Sequence, residues 1–365
     1  MFMRTRRGWF IASLLFVAMA PDLAYADDGC MLEGGAPQLM GEHPTVSMVN
    51  EIVHISIEHG DTLVDCRFLF HNEGPACTVR MGFPDRAEGA DVGNPNWGHQ
   101  PPQGNFLYFA SYVDGQAVPT EIIDGEDKDE YWHIKSVRFG KGQSRMVRDV
   151  YTMMMGGMSD GIGSTTYILS TGGSWHRPIE RAEIDVTIKN FPLPLAVRPG
   201  PNRENHEQGF GDNIPAGSPP ATVIYRGSCA PTVDGNTLKF VRTNFRPTDE
   251  DDVTVSLRPK DLETDFPTGD EQDRWRKLPY IGVYPIQHRL TEADLHGVST
   301  EDRRVILNAI FARHGRQFLD FHLAWAFEIQ DWYKKSRSWK PGDEDALLTP
   351  LDWENVRFLQ ECKTG

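Results

Sequence analysis

Residues 51–84 alternate apolar and polar side chains with a period of two. In "EIVHISIEHGDTLVDCRFLFHNEGPACTVRMGFP", Val53, Ile55 and Ile57 share one face of a first strand. Val64, Cys66, Phe68 and Phe70 share a face of a second, and Cys77, Val79, Met81 and Phe83 of a third. Strands with one apolar face bury it only against another layer, so this stretch commits the chain to a layered β core. The polar "HNEGP" predicts a hairpin between the second and third runs, which places Cys77 near Phe70 and not opposite Cys66. "FASYVDGQAVPTEI" predicts a hairpin at Asp114-Gly115, a dipeptide that tolerates positive φ. "HIKSVRFGKGQSRMVRDVYT" predicts another, turning at Gly140 to Gly142. "TYILST", "AEIDVTIKN", "TLKFVRT" and "DDVTVSL" read as later strands. Many short alternating strands predict an antiparallel β-sandwich over residues 27–258.

The pattern changes near residue 260. "RPKDLETDFPTGDEQDRWRK" is polar, charged and broken by proline, and reads as a linker over 259–280. Beyond it, over 281–365, apolar residues recur at helical spacing. Ser299 caps a first helix with Val305, Ile306, Ala309 and Ile310 on one face. Asp320 caps a second, which turns Leu323, Ala324 and Phe327 inward. Thr349-Pro350 opens a third. The expectation is an α+β multidomain protein: an N-terminal antiparallel β-sandwich followed by a small three-helix C-terminal domain.

Residues 1–26 read as a signal peptide. Arg4, Arg6 and Arg7 precede an apolar run from Phe10 to Ala20, and Ala24-Tyr25-Ala26 is a small-x-small cleavage site. The run is shorter than the roughly 20 apolar residues of a membrane span. The mature chain is expected to begin at Asp27, to lack a membrane span and to work outside the cytoplasm, in the periplasm or secreted. Five cysteines, Cys30, Cys66, Cys77, Cys229 and Cys362, form no CxxC pair, and their odd number leaves one thiol over. The formal net charge of −15 argues against nucleic acid and against anionic lipid as partners.

Two resemblances follow. "EGG…VSMVNEIVHISI", "VDCRFLFHNEG…VRMGFP" and "YILSTGGSW" are similar to a family of bacterial secreted β-domains of unknown function, with Met48, Glu51, Phe70, Asn72 and Phe83-Pro84 at its recurring positions. That likeness covers residues 30–258 and implies a fold and a location. "LTEADLHGVSTEDRRVILNAIFARHGRQFLDFHLAWAFEIQDWY" resembles the YARHG domain over residues 284–362. Phe311 stands where that motif has tyrosine, and Ala309 where an acidic residue is common. The resemblance implies an extracytoplasmic accessory domain that binds cell-envelope material.

Within the motif, Arg313 and His314 are placed in the last turn of the first helix, where cations complement the dipole. Gly315 is then the left-handed C′ residue, and Phe311 and Phe318 pack across the turn. The same segment supplies the candidate ligand-binding residues Arg313, His314, Arg316, Trp332 and Tyr333, because guanidinium groups suit carboxylates and phosphates.

Other motifs look chemical. "GMSDG" satisfies G-x-S-x-G around Ser159, but the β-branched stretch after it is no helix, as a nucleophile elbow needs. "MMMGGM" offers soft thioethers, yet reads better as a buried strand entering a loop. "DGEDKDEYW" and "PTDEDDVTV" lack EF-hand spacing and read as solvated charged turns. No complete catalytic constellation is present, and no cofactor or metal is expected. The expected function is a non-enzymatic, exported envelope accessory or binding protein whose partner is a cell-wall component, another envelope component or a protein. The alternative is an envelope hydrolase or peptidase, or a regulator of one, with its site at Ser159 or near the 87–105 loop.

Overall fold

The computed structural model describes residues 31–361 apart from 42–44, 59, 89–103, 128, 158–161, 201–213, 215–217, 220, 259–267 and 337. Among these residues eighteen strands form two sheets. In chain order they are β1 (Met31–Gly35), β2 (Gln38–Leu39), β3 (Val46–Glu58), β4 (Asp61–Asn72), β5 (Cys77–Glu88), β6 (Tyr108–Val113), β7 (Gln116–Val118), β8 (Glu121–Asp124) and β9 (Glu130–Phe139). There follow β10 (Ser144–Met154), β11 (Gly156–Gly157), β12 (Gly163–Ile168), β13 (Ile179–Ile188), β14 (Ala196–Pro199), β15 (Thr222–Arg226), β16 (Thr232–Asp234), β17 (Thr237–Phe245) and β18 (Val253–Leu257). One sheet runs β14-β15-β18-β12-β1-β5-β9-β8, with β2 on β5 and β11 on β12. The other runs β16-β17-β13-β3-β4-β10-β6-β7. Most neighbours are antiparallel, while β1–β12, β3–β13 and β14–β15 are parallel.

The period-two faces meet between the sheets. Val53, Ile57, Val64, Cys66, Phe68 and Phe70 are fully buried, and Met81 and Phe83 oppose them from the other sheet. β3 and β4, read only as successive strands, pair as a hairpin, with Val53 opposite Cys66. β6 and β7 form the one expected at Asp114-Gly115, with both residues at positive φ.

Two expected hairpins are arches instead. β4 and β5 lie in different sheets, and so do β9 and β10. Both runs of each pair bury their apolar face in the same core, so they oppose one another across the sandwich rather than side by side. Cys77 therefore pairs in register with Phe139 and does not approach Phe70 across a hairpin. The buried Asn72 joins the two arches. Its Nδ2 donates to the Pro75 and Gly140 carbonyls at 2.7 and 3.0 Å, and its Oδ1 accepts from Thr45 Oγ1 and the Gly74 amide. Cys66, Cys77 and Cys229 are free thiols; Cys30 and Cys362 fall outside the described residues.

The interior also holds charge. Lys135 Nζ on β9 donates to both carboxylate oxygens of Asp149 on β10, at 2.8 and 2.7 Å, with both side chains buried. Asp85 accepts from His133 Nε2 at 3.1 Å and from the Asn105 amide, which fixes the chain just before β6. The "PTDEDD" turn is not simply solvated: Asp252 is buried and accepts the amides of Leu169 and Ser170.

The C-terminal part contains α1 (Gly269–Arg276), α2 (Thr300–Ala312), α3 (Phe321–Glu328) and α4 (Pro350–Glu361). Ser299 Oγ and Asp320 Oδ1 cap α2 and α3 as expected, by accepting the amides of Asp302 and Leu323. Thr349 and Asp352 form a reciprocal capping box at α4. α1 lies within the stretch read as a linker, and its Trp275 is buried in the core of the helical part.

Burial pushes the Glu51 carboxyl up to about 8, against the opposing effect of the Tyr167 hydroxyl that donates to its Oε1 at 2.6 Å. Glu51 is thus protonated in the folded protein at neutral pH. A raised carboxyl contributes its full stability below about pH 4.5 and loses it as pH rises towards about 8. Glu51→Gln is expected to be more stable than the parent at pH 8, with the difference shrinking towards pH 4.5. Urea unfolding across that range checks it, and a difference independent of pH would contradict the assignment.

Candidate functional site

The end of α2 carries the motif Ala312-Arg313-His314-Gly315-Arg316. The helix stops at Ala312, and the amides of His314 and Gly315 bond the Phe311 and Ala312 carbonyls in a tightened last turn. Gly315 adopts φ +80°, one residue beyond the C′ position expected of it. A Cβ there would lie 2.8 Å from the Ser336 amide nitrogen, so backbone conformation and close approach both require glycine.

Each neighbour of Gly315 reaches a different part of the chain. The Arg313 guanidinium lies 3.5 Å from the Trp332 ring centroid, and its Nη2 donates to the Ile281 carbonyl at 2.8 Å. Burial lowers its affinity for a proton. Burial also lowers the His314 pKa, which favours the neutral ring. His314 Nε2 lies 2.9 Å from the Tyr284 hydroxyl, which donates to Asp352 Oδ2 at 3.3 Å. The Tyr333 side chain is buried, and its hydroxyl donates to the Arg316 carbonyl at 2.6 Å. The lead-in Leu290-Thr291-Glu292-Ala293-Asp294-Leu295 also has a physical basis. Leu290 and Leu295 are buried, and the hydroxyl and amide of Thr291 hold the Asp294 carboxyl well below the usual range.

Of the five candidate residues, Arg316 lines a cavity. Its guanidinium packs beside Phe311 and Phe318, and its Nε lies 3.2 Å from Glu344 Oε1. The buried Glu344 also accepts from the Trp339 indole N–H at 2.9 Å. Arg316, Phe318, Trp339 and Glu344, together with Tyr108, Gln317 and Asn308, line a cleft of about 280 Å³ between the helical part and the sandwich.

The sandwich wall of this cleft is the edge of β6. Ser111 and Val113 pair with β7, which is too short to continue to Phe109. The Phe109 amide donates instead to Gln317 Oε1 at 2.8 Å. The Phe106 carbonyl accepts from Lys335 Nζ at 2.8 Å, and Lys335 pairs with Glu328 at 2.7 Å. Both charged side chains are almost fully buried, and burial raises the Glu328 pKa. Tyr108 and Trp339 meet edge-to-face at 5.6 Å and close the contact. Sequence reasoning quoted Gln317 within the motif but gave it no role, and it passed over Lys335, Trp339, Glu344 and Tyr108. The signal was one neutral polar residue between Arg316 and Phe318, unreadable without its partner some two hundred residues away.

Ser159 and most of the 87–105 loop lie outside the described residues. Among the described residues no group of three His, Cys, Asp or Glu side chains is placed to hold a metal, and no helix is long and apolar enough to cross a membrane.

Comparison with known proteins gives this geometry a family. Residues 280–364 are a YARHG domain. No curated protein matches the chain. A Legionella pneumophila protein provisionally described as nutrient binding superposes with a TM-score of 0.48 at 18% identity, over 92% of this chain and all of its own. An M1 zinc metallopeptidase from Deinococcus radiodurans gives 0.29 at 9% identity, over 59% of this chain and 43% of its own. Yeast LTA4 hydrolase gives 0.30 at 8% identity, over 60% of this chain and 29% of its own.

Gly315→Val is expected to lower stability by about 3 kcal/mol or more, combining a left-handed conformation that a β-branched residue resists with a clash at Ser336. Circular dichroism melting checks this, and an unchanged Tm would contradict the reading of Gly315.

Proposed function

We propose that this is an exported, non-enzymatic binding protein of the cell envelope, with its ligand site in the cleft between the two parts. Arg316 is the primary contact. Arg313, His314, Trp332 and Tyr333 hold the turn that presents it. The observation that carries the reading is that the motif's second arginine opens onto a cleft walled by both parts of the chain, and interdomain clefts are preferred ligand sites. The Nη groups of Arg316 donate to no described residue, which leaves them to bond a carboxylate or a carbonyl of the ligand. The YARHG domain supports an accessory role outside the cytoplasm, reached by cleavage of the signal peptide near Ala26.

The test is retention of the intact protein on isolated cell wall. Arg316→Ala is expected to reduce retention at least tenfold with helicity unchanged. Equal retention of parent and variant would remove Arg316 from the site, and no retention of the parent would remove the envelope-wall ligand.

A further inference from the structure

The carboxylates that line the Arg316 cleft are already matched within the protein. Glu344 lies 3.2 Å from Arg316, and Asp320 pairs with Arg304 at 2.6 Å. A charged ligand would bring a charge with no counterpart left among the described residues. A neutral polar group brings none, and only its hydrogen bonds have to be met.

Three polar side chains in the cleft still have bonds to make. The Nη groups of Arg316 donate to no described residue. Gln317 is 6% exposed, and its Oε1 takes the Phe109 amide, which leaves the nitrogen as the other end of the same group. That Nε2 donates to no described residue, although the polar atoms of a side chain so deeply buried are normally satisfied. Asn308 Nδ2 donates to the Arg304 carbonyl at 2.8 Å, which leaves its Oδ1 as an acceptor with no described donor. The cleft therefore offers donors for an oxygen and an acceptor for an N–H. A carboxylate only accepts, so it would leave Asn308 unmet. A secondary amide satisfies both.

The remaining wall is apolar. Leu319 is 46% exposed, beside Phe318 and Leu323. A small acyl group covers such a side chain, and the hydroxyls of an unsubstituted sugar do not. Leu319 and Asp320 also line a second cleft of about 260 Å³. The first is thus open on that side and admits a group carried on a larger molecule.

We infer that the cleft binds a secondary amide with a small acyl group, as in the acetamido group of an amino sugar or an acylated peptide nitrogen. This rests on the Arg316 site proposed above. The amide carbonyl accepts from Arg316 Nη and Gln317 Nε2, its N–H donates to Asn308 Oδ1, and the acyl methyl lies against Leu319.

The test is calorimetric titration of the intact protein with N,N′-diacetylchitobiose, with cellobiose, which lacks the acetamido groups, and with N-acetylalanine methylamide. At least one acylated probe is expected to bind. Diacetylchitobiose binding at least tenfold tighter than cellobiose would place the amide on an amino sugar, and binding of the methylamide alone would place it on a peptide. Gln317→Glu keeps an oxygen for the Phe109 amide and removes Nε2. It is expected to weaken the bound probe at least tenfold, and Asn308→Leu several-fold, with the Phe109 amide still protected from exchange in both. Unchanged affinity in both variants would overturn the site, and so would equal binding of the two sugars without binding of the methylamide. No binding of either acylated probe at millimolar concentration would overturn it as well, while loss of cell-wall retention in Arg316→Ala would leave the Arg316 site standing.

Discussion

The arrangement of the whole chain depends on two backbone groups at one sheet edge. β7 ends before it can pair with Phe109, and an exposed β edge invites unwanted pairing. The YARHG domain closes that edge with side chains: Gln317 takes the Phe109 amide, and Lys335 donates to the Phe106 carbonyl. A buried backbone group left unpaired costs about 1–3 kcal/mol, so these bonds decide how the two parts sit. The price is a buried ammonium, which Glu328 and the carbonyl jointly offset. Because the helical part lies on this edge, the segment from Gln317 to His322 passes over the outer face of the sheet. The two clefts follow from that placement.

The YARHG motif makes that placement rigid. Arg313, His314, Gly315 and Arg316 tie the end of α2 to Ile281, Tyr284, Ser336 and Glu344 respectively. A motif that looks like a cluster of exposed cations is mostly a junction where four stretches of chain meet. The sandwich uses polar groups in a similar way. Lys135–Asp149 crosses the interior between the sheets, Asn72 joins two arches, and Asp85 holds the chain that leads into β6. The last of these positions Phe106 and Phe109, so the interior network and the edge contacts are mechanically continuous.

Much of this was legible in the residues, and the reasons differ by element. The inward faces of β3 and β4 follow from alternation, the β6–β7 hairpin from turn chemistry, and the helix starts from Ser299, Asp320 and Thr349, because those signals are local. The arches were not legible. A polar loop between two alternating runs has the same signature whether the strands pair side by side or oppose across a core, and only packing decides. α1 was hidden in a charged, proline-broken segment, although Thr268 and Glu271 form a capping box there. The motif's junction role was half visible: its glycine read correctly as a left-handed stop, one residue out of register. The contact between the two parts could not be read at all, since Tyr108 reaches Trp339 and the Phe109 amide reaches Gln317 only through the tertiary fold.

The most direct test of the central account is amide hydrogen exchange at Phe109 in the intact protein and in Gln317→Ala. If the side chain of Gln317 closes the β6 edge, the Phe109 amide is protected in the parent. In the variant it exchanges at least tenfold faster, while the Val137 amide deep in the sandwich is unaffected. Equal protection of Phe109 in both proteins would show that the edge is closed by something else, and the placement of the helical part would need another explanation.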